Sequence, residues 1–217
     1  MALTPLQPTL ALHPENVPAG WGMDPTRPVL ANLAGDYTYL TDGYYRSLDL
    51  ERTGAQVVPD TSACLDAYVV PIALAKAERA GLSVPRSQLV TDRFLAPPVM
   101  AYPVNPFSSR GELLPDAAAV EARRKGLTYT GKYAVHCQVL PHDFRIDVVR
   151  VVLGRTAVPE YEAFARAVWE LFRVPLMRVR AIVVRDAYLL SAIEPLPTRQ
   201  LTADERRVLE EAGTWPA

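Results

Sequence analysis

The sequence predicts a mixed α/β (α+β) fold, in which an N-terminal Rossmann-like β-α-β-α unit is followed by antiparallel hairpins packed with helices. Three patterns support this prediction. A strand, a loop, a helix and a second strand follow one another over residues 29–59, apolar residues recur at helical spacing further on, and the C-terminal half alternates apolar and polar residues around short turns. The 217 residues, 49% of them apolar, suffice for one domain or two small ones.

The first unit carries four closely spaced tyrosines. Val29–Leu33 is typical of a short apolar strand, and glycines, aspartates and threonines then mark a loop. A helix is predicted from Tyr44, with Asp42 as its cap and Gly54 just after its end. Gln56–Val58 starts a second strand, and strands joined in this way are usually parallel with a right-handed crossover. Because ligands bind beyond the carboxyl ends of strands in open α/β sheets, the loop is predicted to lie at a binding site.

The candidate ligand- or partner-binding residues are the acidic residues and tyrosines of this loop. They are Asp36, Tyr37, Tyr39, Asp42, Tyr44 and Tyr45. Phenol rings stack on ligands and donate hydrogen bonds, and carboxylates hold an ammonium group or a metal-bound water. Aromatic residues with a purely structural role explain the same pattern, and at least one of the two helical tyrosines is expected to pack into the core. The loop lacks the glycine spacing of a dinucleotide-binding site.

The middle of the chain is predicted from capping residues and prolines. Thr61–Ala80 is expected to form one helix with a kink at Pro71. Its predicted buried face consists of Leu65, Tyr68, Val69, Ile72, Leu74 and Ala75. Dense prolines over Ser83–Asp116 predict a long irregular connection, which indicates a boundary or a functional loop. A short helix, Asp116–Lys125, follows.

The C-terminal half is predicted to contain two hairpins and two helices. The expected elements are a hairpin of Tyr129–Leu140 and Arg145–Leu153 around Pro141-His142-Asp143, a helix from Pro159 to Phe172, a hairpin of Leu176–Val184 and Tyr188–Ile193, and a helix to Ala212 that begins with the capping box of Thr202 and Glu205. The sequence is therefore divided into a proline-rich arm (1–28), an α/β subdomain (29–96), an irregular connection (97–126) and an α+β subdomain (127–217). The arm is expected to be either disordered or wrapped around the domain, with Trp21 as an apolar anchor.

Two other groups of residues deserve a chemical interpretation. His136, Cys137 and His142, with Asp143, contain the residue types of a nucleophile and base or of a metal site. Neighbours in a strand point to opposite faces, however, so no catalytic residue and no metal site is predicted there. Arg178 and Arg180 recur with period two and form a candidate anion-binding pair, although a solvated sheet face explains the same pattern.

Composition and charge exclude several classes of function. The net charge of −1 gives no electrostatic basis for binding nucleic acid or an anionic membrane, and no stretch reaches eighteen uninterrupted apolar residues. The two cysteines are far apart and are expected to be reduced thiols in a cytoplasmic protein.

Asp143-Phe144-Arg145 resembles the D-x-R strand of ATP-grasp ligases, but the magnesium- and phosphate-binding residues of those enzymes do not follow it, so no cofactor is predicted.

Two blocks of the sequence match a known family. The first contains Asn32-Leu33, Tyr37–Leu40, Gly43–Leu48, Arg52–Gly54 and Val58-Pro59, and the second contains Gly154-Arg155-Thr156, the helix Glu160–Phe172 and the turn Leu171–Val179. In this order they resemble the N-terminal domain of RimK-like ATP-grasp proteins. The resemblance implies a pre-ATP-grasp-like N-terminal unit. In the family this domain precedes a catalytic domain that joins a carboxylate to an amine through an acyl-phosphate made from ATP.

The resemblance implies a function in that context. Because the sequence ends at Ala217, the expectation is a stand-alone version without the ATP-grasp catalytic domain: a non-catalytic accessory or substrate- and partner-binding protein, and a subunit of a separately encoded ligase. Two alternatives stay open. One is a ligase-independent small-molecule binding or scaffold protein, and the other is a stand-alone enzyme that uses His136, Cys137 and His142. A homo-oligomer is compatible with all three.

Overall fold

The computed structural model describes residues 9–105 and 110–215. The helices of this part of the chain are α1 (Asp42–Arg52), α2 (Thr61–Tyr68), α3 (Val70–Arg79), α4 (Ala117–Leu127), α5 (Glu162–Phe172) and α6 (Ala203–Ala212). The strands are β1 (Thr9–Leu12), β2 (Val29–Asn32), β3 (Gln56–Val58), β4 (Ser87–Val90), β5 (Val99–Pro103), β6 (Glu112–Leu114), β7 (Val135–Val139), β8 (Phe144–Val152), β9 (Leu176–Val184), β10 (Ala187–Pro195) and β11 (Gly213–Thr214). The predicted α/β class is confirmed.

The chain divides into two compact units. The first unit comprises the residues up to Ala67, Val149–Val179 and the residues from Glu194 onward, and the second comprises Tyr68–Val148 and Arg180–Ile193. Each unit is assembled from separate stretches of sequence, whereas the four parts predicted above are consecutive along the chain. The two divisions therefore cannot be compared directly, and the boundaries of the four parts stay a prediction. No helix in the described part of the chain is long and apolar enough to cross a membrane.

The first unit contains the predicted β-α-β arrangement. Its sheet has the order β11-β1-β2-β3, and β2 and β3 are parallel, with Val29 opposite Gln56. Helix α1 connects these two strands and ends, as predicted, just before Gly54, which has a φ of 78°. Strand β1 runs antiparallel to β2, so that Thr9 lies opposite Asn32 at the carboxyl end of β2.

Part of the proline-rich arm belongs to this sheet. The sequence left open whether the arm is disordered or wraps around the domain; residues 9–12 are ordered and form β1 between β2 and β11. The predicted anchor is confirmed: Trp21 is buried and its indole nitrogen donates to the carbonyl oxygen of Glu170 at 2.8 Å. Its ring also meets the ring of Trp169 edge-on, with 4.8 Å between centroids. Residues 1–8 of the arm lie outside the described residues.

The second unit is built on an antiparallel sheet where an irregular connection was predicted. Strands β4, β5 and β6 lie within Ser83–Asp116, and the sheet has the order β4-β7-β5-β6. The prediction failed because the described prolines of this stretch flank the strands or stand at their ends, where a missing N–H costs no ladder hydrogen bond, while Pro106 lies outside the described residues. One face of the sheet packs on α4. The buried residues of this cluster are Val90, Val99, Ala101, Leu114, Leu127, Val135 and Cys137.

The other face of this sheet carries a buried polar network. The hydroxyl of Ser191 donates to Oε1 of Gln138 at 2.6 Å, and the amide nitrogen of Gln138 donates to the carbonyl oxygen of Ser191 at 2.8 Å. The phenol of Tyr102 lies 2.8 Å from the same serine hydroxyl. Tyr102, Gln138 and Ser191 are fully buried, so the network satisfies polar groups that would otherwise be costly.

Two helical predictions require correction. The helix predicted over Thr61–Ala80 is broken at Val69, which is extended, and Pro71 stands in the first turn of α3, where its missing N–H is not needed. The predicted buried face is also wrong in part: Leu65, Ile72 and Ala75 are exposed, whereas Tyr68 and Leu74 are buried as predicted. The positions that pack instead are mainly small residues. They are Ala63, Cys64, Ala67, Val70, Ala73 and Ala77.

The first predicted hairpin does not form. Strand β7 already pairs with β4 and β5 along its two edges, and β8 belongs to a separate three-stranded sheet of order β10-β9-β8. The second hairpin is confirmed, because β9 and β10 are neighbours joined by Arg185-Asp186. The apolar face of α5 is buried as predicted, and Thr202 and Glu205 form the predicted capping box of α6.

Candidate functional site

The loop of residues 33–41, here called the tyrosine loop, lies at the carboxyl end of β2, between this strand and α1. Asn32, the last residue of β2, holds the two together. Its amide nitrogen donates to the carbonyl oxygen of Gly43 at 2.8 Å and to the hydroxyl of Ser47 at 2.9 Å, and its Oδ1 accepts from the backbone N–H of Ala34 at 3.1 Å. Ser47 in turn donates to the carbonyl oxygen of Pro59 at 2.6 Å. This buried network fixes both ends of the loop.

Gly43 allows the helix to approach the loop closely. A Cβ atom at this position would lie 2.0 Å from the carbonyl oxygen of Asp36 and 2.9 Å from Cβ of Ala34. Only glycine has no side chain to clash there, so α1 packs through Gly43 and Ser47, its two buried residues. The helical tyrosines are therefore not its buried positions, contrary to the expectation that one of them would pack into the core.

Thr41, rather than Asp42, caps α1. The helix begins at Asp42, two residues earlier than predicted, and the hydroxyl of Thr41 accepts from the backbone N–H of Tyr44 at 3.4 Å. The same hydroxyl lies 2.7 Å from the carbonyl oxygen of Thr38 and so also closes the turn of the loop. Asp42 therefore stands in the first turn, where its charge is favourable to the helix dipole and its side chain stays exposed.

Tyr37 is a structural residue of the core. Its side chain is fully buried, and its hydroxyl donates to the carbonyl oxygen of Asn32 at 2.6 Å. Burial raises the pKa of the Tyr37 phenol well above its usual value, so it stays neutral. Among the six candidate residues, Tyr37 thus stabilises the loop from within the core and is not part of the surface that the other tyrosines form.

Tyr39, Tyr44 and Tyr45 form one aromatic group, here called the tyrosine cluster. The ring centroids of Tyr39 and Tyr44 are 5.2 Å apart and those of Tyr44 and Tyr45 are 6.0 Å apart, with nearly perpendicular ring planes in both pairs. Tyr39 and Tyr45 are 48% and 46% exposed. Desolvation and the neighbouring Tyr39 raise the pKa of Tyr44, so the phenol of Tyr44 stays neutral at pH 7.

The surroundings of the tyrosine cluster are acidic. Asp36 is half-buried and accepts from the backbone N–H of Thr38 at 3.1 Å, whereas Asp42 is exposed. Residues 35–51 contain four carboxylates, from Asp36 to Glu51, and one arginine, Arg46. The structure therefore brings five of the six candidate residues to one edge of the unit, as a mixed aromatic and acidic surface.

The two candidate arginines do not lie in one unit. Arg178 belongs to the first unit, is half-buried and lies 4.0 Å from the carboxylate of Glu194, so its charge already has a counterion. Arg180 belongs to the second unit and is also half-buried. Anion binding by this pair stays a prediction.

The histidines and the cysteine of β7 and its following turn do not meet. Cys137 packs in the apolar cluster against α4, and burial raises its pKa to about 11. His136, which points to the opposite face, is buried with no hydrogen-bond partner for either ring nitrogen, and desolvation lowers its pKa to about 4. His142 is exposed and pairs with Asp143 at 2.8 Å. The described residues contain no group of three potential metal ligands.

Sequence reasoning missed the residues that hold the loop in place. Asn32, Ser47 and Thr41 carry the hydrogen bonds, and none was a candidate. A polar residue that ends an otherwise apolar strand is the available signal for Asn32, and the spacing of Gly43 and Ser47, one helical turn apart, is the signal for the packed face of α1.

Comparison with known proteins agrees with this fold. Residues 128–212 match the family model of the RimK-like ATPgrasp N-terminal domain. None of the curated proteins matches the sequence. The RimK domain protein ATP-grasp from Sphaerobacter thermophilus DSM 20745 is similar over 77% of this chain and 73% of its own, with a TM-score of 0.56 and 15% identity.

Two further solved structures show the same likeness. For the D-alanine–D-alanine ligase from Helicobacter pylori, the coverage is 84% of this chain and 71% of that chain, with a TM-score of 0.58 and 12% identity. For the ATP-grasp ligase PsnB, complexed with precursor peptide PsnA2 and AMPPNP, the coverage is 77% of this chain and 66% of that chain, with a TM-score of 0.52 and 18% identity. At these identities the likeness concerns the fold. The predicted family is confirmed over residues 128–212, where the chain matches the RimK-like ATPgrasp N-terminal domain.

Proposed function

We propose that this chain is a non-catalytic accessory protein, related to the N-terminal domain of RimK-like ATP-grasp carboxylate–amine ligases, that binds a separately encoded ligase in the cytoplasm. The observation that carries the proposal is the tyrosine cluster. Three phenol rings stand at the carboxyl end of a parallel strand, two of them almost half exposed, on a loop held by a buried network. Tyrosine is enriched at protein interfaces, and a rigid support lowers the entropic cost of binding.

The distribution of reactive groups favours binding over catalysis. Cys64 is buried, and burial raises its pKa to about 12, while Cys137 and His136 lie on opposite faces of their strand. A nucleophile and its base need to be within hydrogen-bond reach of each other. Around the tyrosine cluster, the exposed groups are instead mainly aromatic rings and carboxylates, which serve recognition.

One structural neighbour supports a peptide or protein as the partner. PsnB has been solved in complex with its precursor peptide. Tyr39 and Tyr45 of the tyrosine cluster are almost half exposed, and an exposed aromatic surface suits a polypeptide better than a small ligand. A second copy of this chain is the other polypeptide that the same surface would accept.

Co-purification tests the proposal directly. The chain is co-expressed with an ATP-grasp ligase encoded by a neighbouring gene, and the ligase is captured through a tag on this chain. We expect the double variant Tyr39→Ala/Tyr45→Ala to capture at least about tenfold less ligase than the unchanged chain, because exposed aromatic anchors dominate interface energies.

The matched control is Tyr129→Ala, which removes a similarly exposed tyrosine from another edge-on tyrosine pair. It is expected to capture as much ligase as the unchanged chain, and circular dichroism checks that all variants fold. Failure of the unchanged chain to capture any ligase, or equal capture by the double variant, would contradict the proposal. Size-exclusion chromatography shows whether a second copy occupies the surface instead.

Ligase-independent small-molecule binding is the second candidate, favoured by a cavity in the first unit. The cavity has a volume of about 380 Å³ and lies between the proline-rich arm and the ends of β1 and β2, with Met23 and Val17 in its lining. We expect a metabolite that fills it to raise the thermal unfolding midpoint and Val17→Trp to abolish this shift. Val158→Trp, at an exposed position, serves as the control; the absence of any shift across a metabolite panel removes this candidate.

A further inference from the structure

Two aromatic groups of this protein contain their own cation. In the first unit, the guanidinium carbon of Arg173 lies 5.5 Å from the ring centroid of Trp21, whose ring meets that of Trp169. In the second unit, Nζ of Lys132 lies 5.2 Å from the ring centroid of Tyr133, which forms an edge-on pair with Tyr129. Both distances are within the range of a cation–π interaction, in which the negative face of the ring attracts the cation.

The tyrosine cluster has the same ring geometry but no such cation. Its centroid separations of 5.2 and 6.0 Å and its interplanar angles of 82° and 81° resemble those of the Tyr129–Tyr133 pair. No lysine or arginine in the part of the chain that the structure describes lies over any of its three rings. Because adjacent rings are nearly perpendicular, the cluster presents ring faces in more than one direction.

Carboxylates around the cluster strengthen its attraction for a cation. Asp42 is exposed in the first turn of α1, two residues before Tyr44 in the sequence, and Asp36 precedes Tyr39 by three residues in the loop. With four carboxylates and one arginine, residues 35–51 have a formal charge of −3. An aromatic surface that has acidic neighbours, and over whose rings no cation of the described residues lies, is complementary to a lysine or arginine side chain.

We propose that the tyrosine cluster binds a lysine- or arginine-containing segment of its protein partner, with the cationic group over the phenol rings and beside Asp42. This inference rests on the proposed function, since it names the chemistry of the partner surface. Each ring and each carboxylate is expected to contribute about 2- to 5-fold to the affinity. The interaction weakens as salt concentration rises, because its charges are exposed to solvent.

Synthetic peptides provide the first test. The probe is a blocked peptide of alternating glycine and lysine, and the matched peptides contain glutamine or glutamate in place of lysine. Tyrosine ring signals of the full chain are followed by NMR during titration. We expect the lysine peptide to bind at least about tenfold more tightly than the glutamine peptide, the glutamate peptide not to bind, and the lysine peptide to lose several-fold in affinity between 20 and 200 mM salt.

Variants of the chain test the assignment to this surface. Tyr39→Leu and Tyr45→Leu remove ring faces and are each expected to weaken lysine-peptide binding about 2- to 5-fold, whereas Tyr39→Phe keeps the ring and retains binding. Asp42→Asn is expected to weaken binding similarly. The matched control is Asp204→Asn, which removes an exposed carboxylate from the first turn of α6 and leaves binding unchanged.

The outcomes separate this inference from the proposed function. Equal binding of the lysine and glutamine peptides, or unchanged binding by both leucine variants, overturns the inference. The inference is also overturned if ligase capture depends on the tyrosines but changes neither with salt concentration nor with the Asp42→Asn substitution. In that case the proposed function still stands. Peptide binding with the expected dependence supports the inference even where the chosen ligase is not captured, which counts against the proposed function alone.

Discussion

Asn32 in the first unit and His136 in the second both place a polar side chain in a buried strand, but their surroundings differ. Asn32 is fully buried, donates two hydrogen bonds and accepts a third. His136, 6% exposed, has no partner for either ring nitrogen, although Tyr102 lies opposite it in the neighbouring strand and Gln138 stands two residues along. Strand β2 thus ends in a network in which the polar groups of Asn32 are hydrogen-bonded. Strand β7 instead contains an imidazole without a hydrogen-bond partner, close to a network that it does not join.

The difference shows that a buried polar residue fixes the local geometry in the first unit, whereas in the second it makes stability sensitive to pH. A satisfied network holds its members in one geometry, which suits a strand end that has to present a loop. An unsatisfied buried imidazole is costly and makes its unit sensitive to pH, since the proton it would accept is poorly solvated there. The network of Tyr102, Gln138 and Ser191 satisfies its own members but does not reach His136.

The largest effect is expected for Asn32→Ala. It removes three hydrogen bonds and leaves the carbonyl oxygen of Gly43 without this donor, so we expect a loss of about 3 kcal/mol in the free energy of unfolding. Urea-induced unfolding followed by circular dichroism measures the loss. Asn16→Ala, which removes one half-buried hydrogen bond to the carbonyl oxygen of Ala212, is the control and is expected to cost about 1 kcal/mol or less. Equal losses would show that the Asn32 network has no special role.

The pH dependence of stability tests the contrast at His136. Its pKa falls from 6.5 to about 4 in the folded protein, so between these values the unfolded state binds more protons. Stability is therefore full above about pH 6.5 and decreases as the pH falls toward 4, by about 2 kcal/mol from this residue. His136→Leu is expected to remove this component, measured as the difference between the two unfolding curves across pH. Parallel curves would mean that His136 does not titrate as the structure indicates.

A smaller effect is expected for Ser191→Ala in the second network. The substitution leaves Oε1 of Gln138 and the phenol of Tyr102 without their shared partner, and we expect a loss of about 1.5 kcal/mol by urea unfolding. Ser62→Ala at an exposed position is the control, with an expected change within about 0.5 kcal/mol. A loss as large as that of Asn32→Ala would erase the distinction between the two networks.

The smallest effect is expected for the matched pair Tyr37→Phe and Tyr102→Phe. Each substitution removes one buried hydroxyl and keeps the ring, and each is expected to cost about 1 kcal/mol. Tyr37→Phe should also increase hydrogen exchange at the loop amides of residues 36–41, because the phenol of Tyr37 ties the loop to Asn32. Unchanged exchange there would show that Asn32 and Thr41 suffice to hold the loop.

Local signals in the sequence predicted most elements of the fold. The capping box of Thr202 and Glu205, the apolar face of α5 and the parallel pair of β2 and β3 depend on neighbours close in sequence, and all three formed as expected. Failures occurred where distant partners decide. Whether β7 pairs with β8 depends on β4 and β5 already occupying its edges, which no local pattern shows.

The candidate site was predictable to a similar extent. The run of tyrosines indicated the position of the surface, but it did not show that Tyr37 points into the core while Tyr39, Tyr44 and Tyr45 group outside. That division depends on Gly43, whose close approach to Asp36 sets the direction of the first turn of α1. The only sign of such a backbone contact in the sequence is the single glycine at position 43, so local patterns could not predict it.

The anchoring of the arm by Trp21 also gives the protein an optical reporter. The chain has three tryptophans, and two of them, Trp21 and Trp169, hold their rings 4.8 Å apart. Indole rings at this distance couple their electronic transitions, so the pair should produce an exciton signal in circular dichroism that vanishes once the arm leaves α5. Attachment of residues 13–28 could thus be followed in the unlabelled protein, by light alone, while a partner is added.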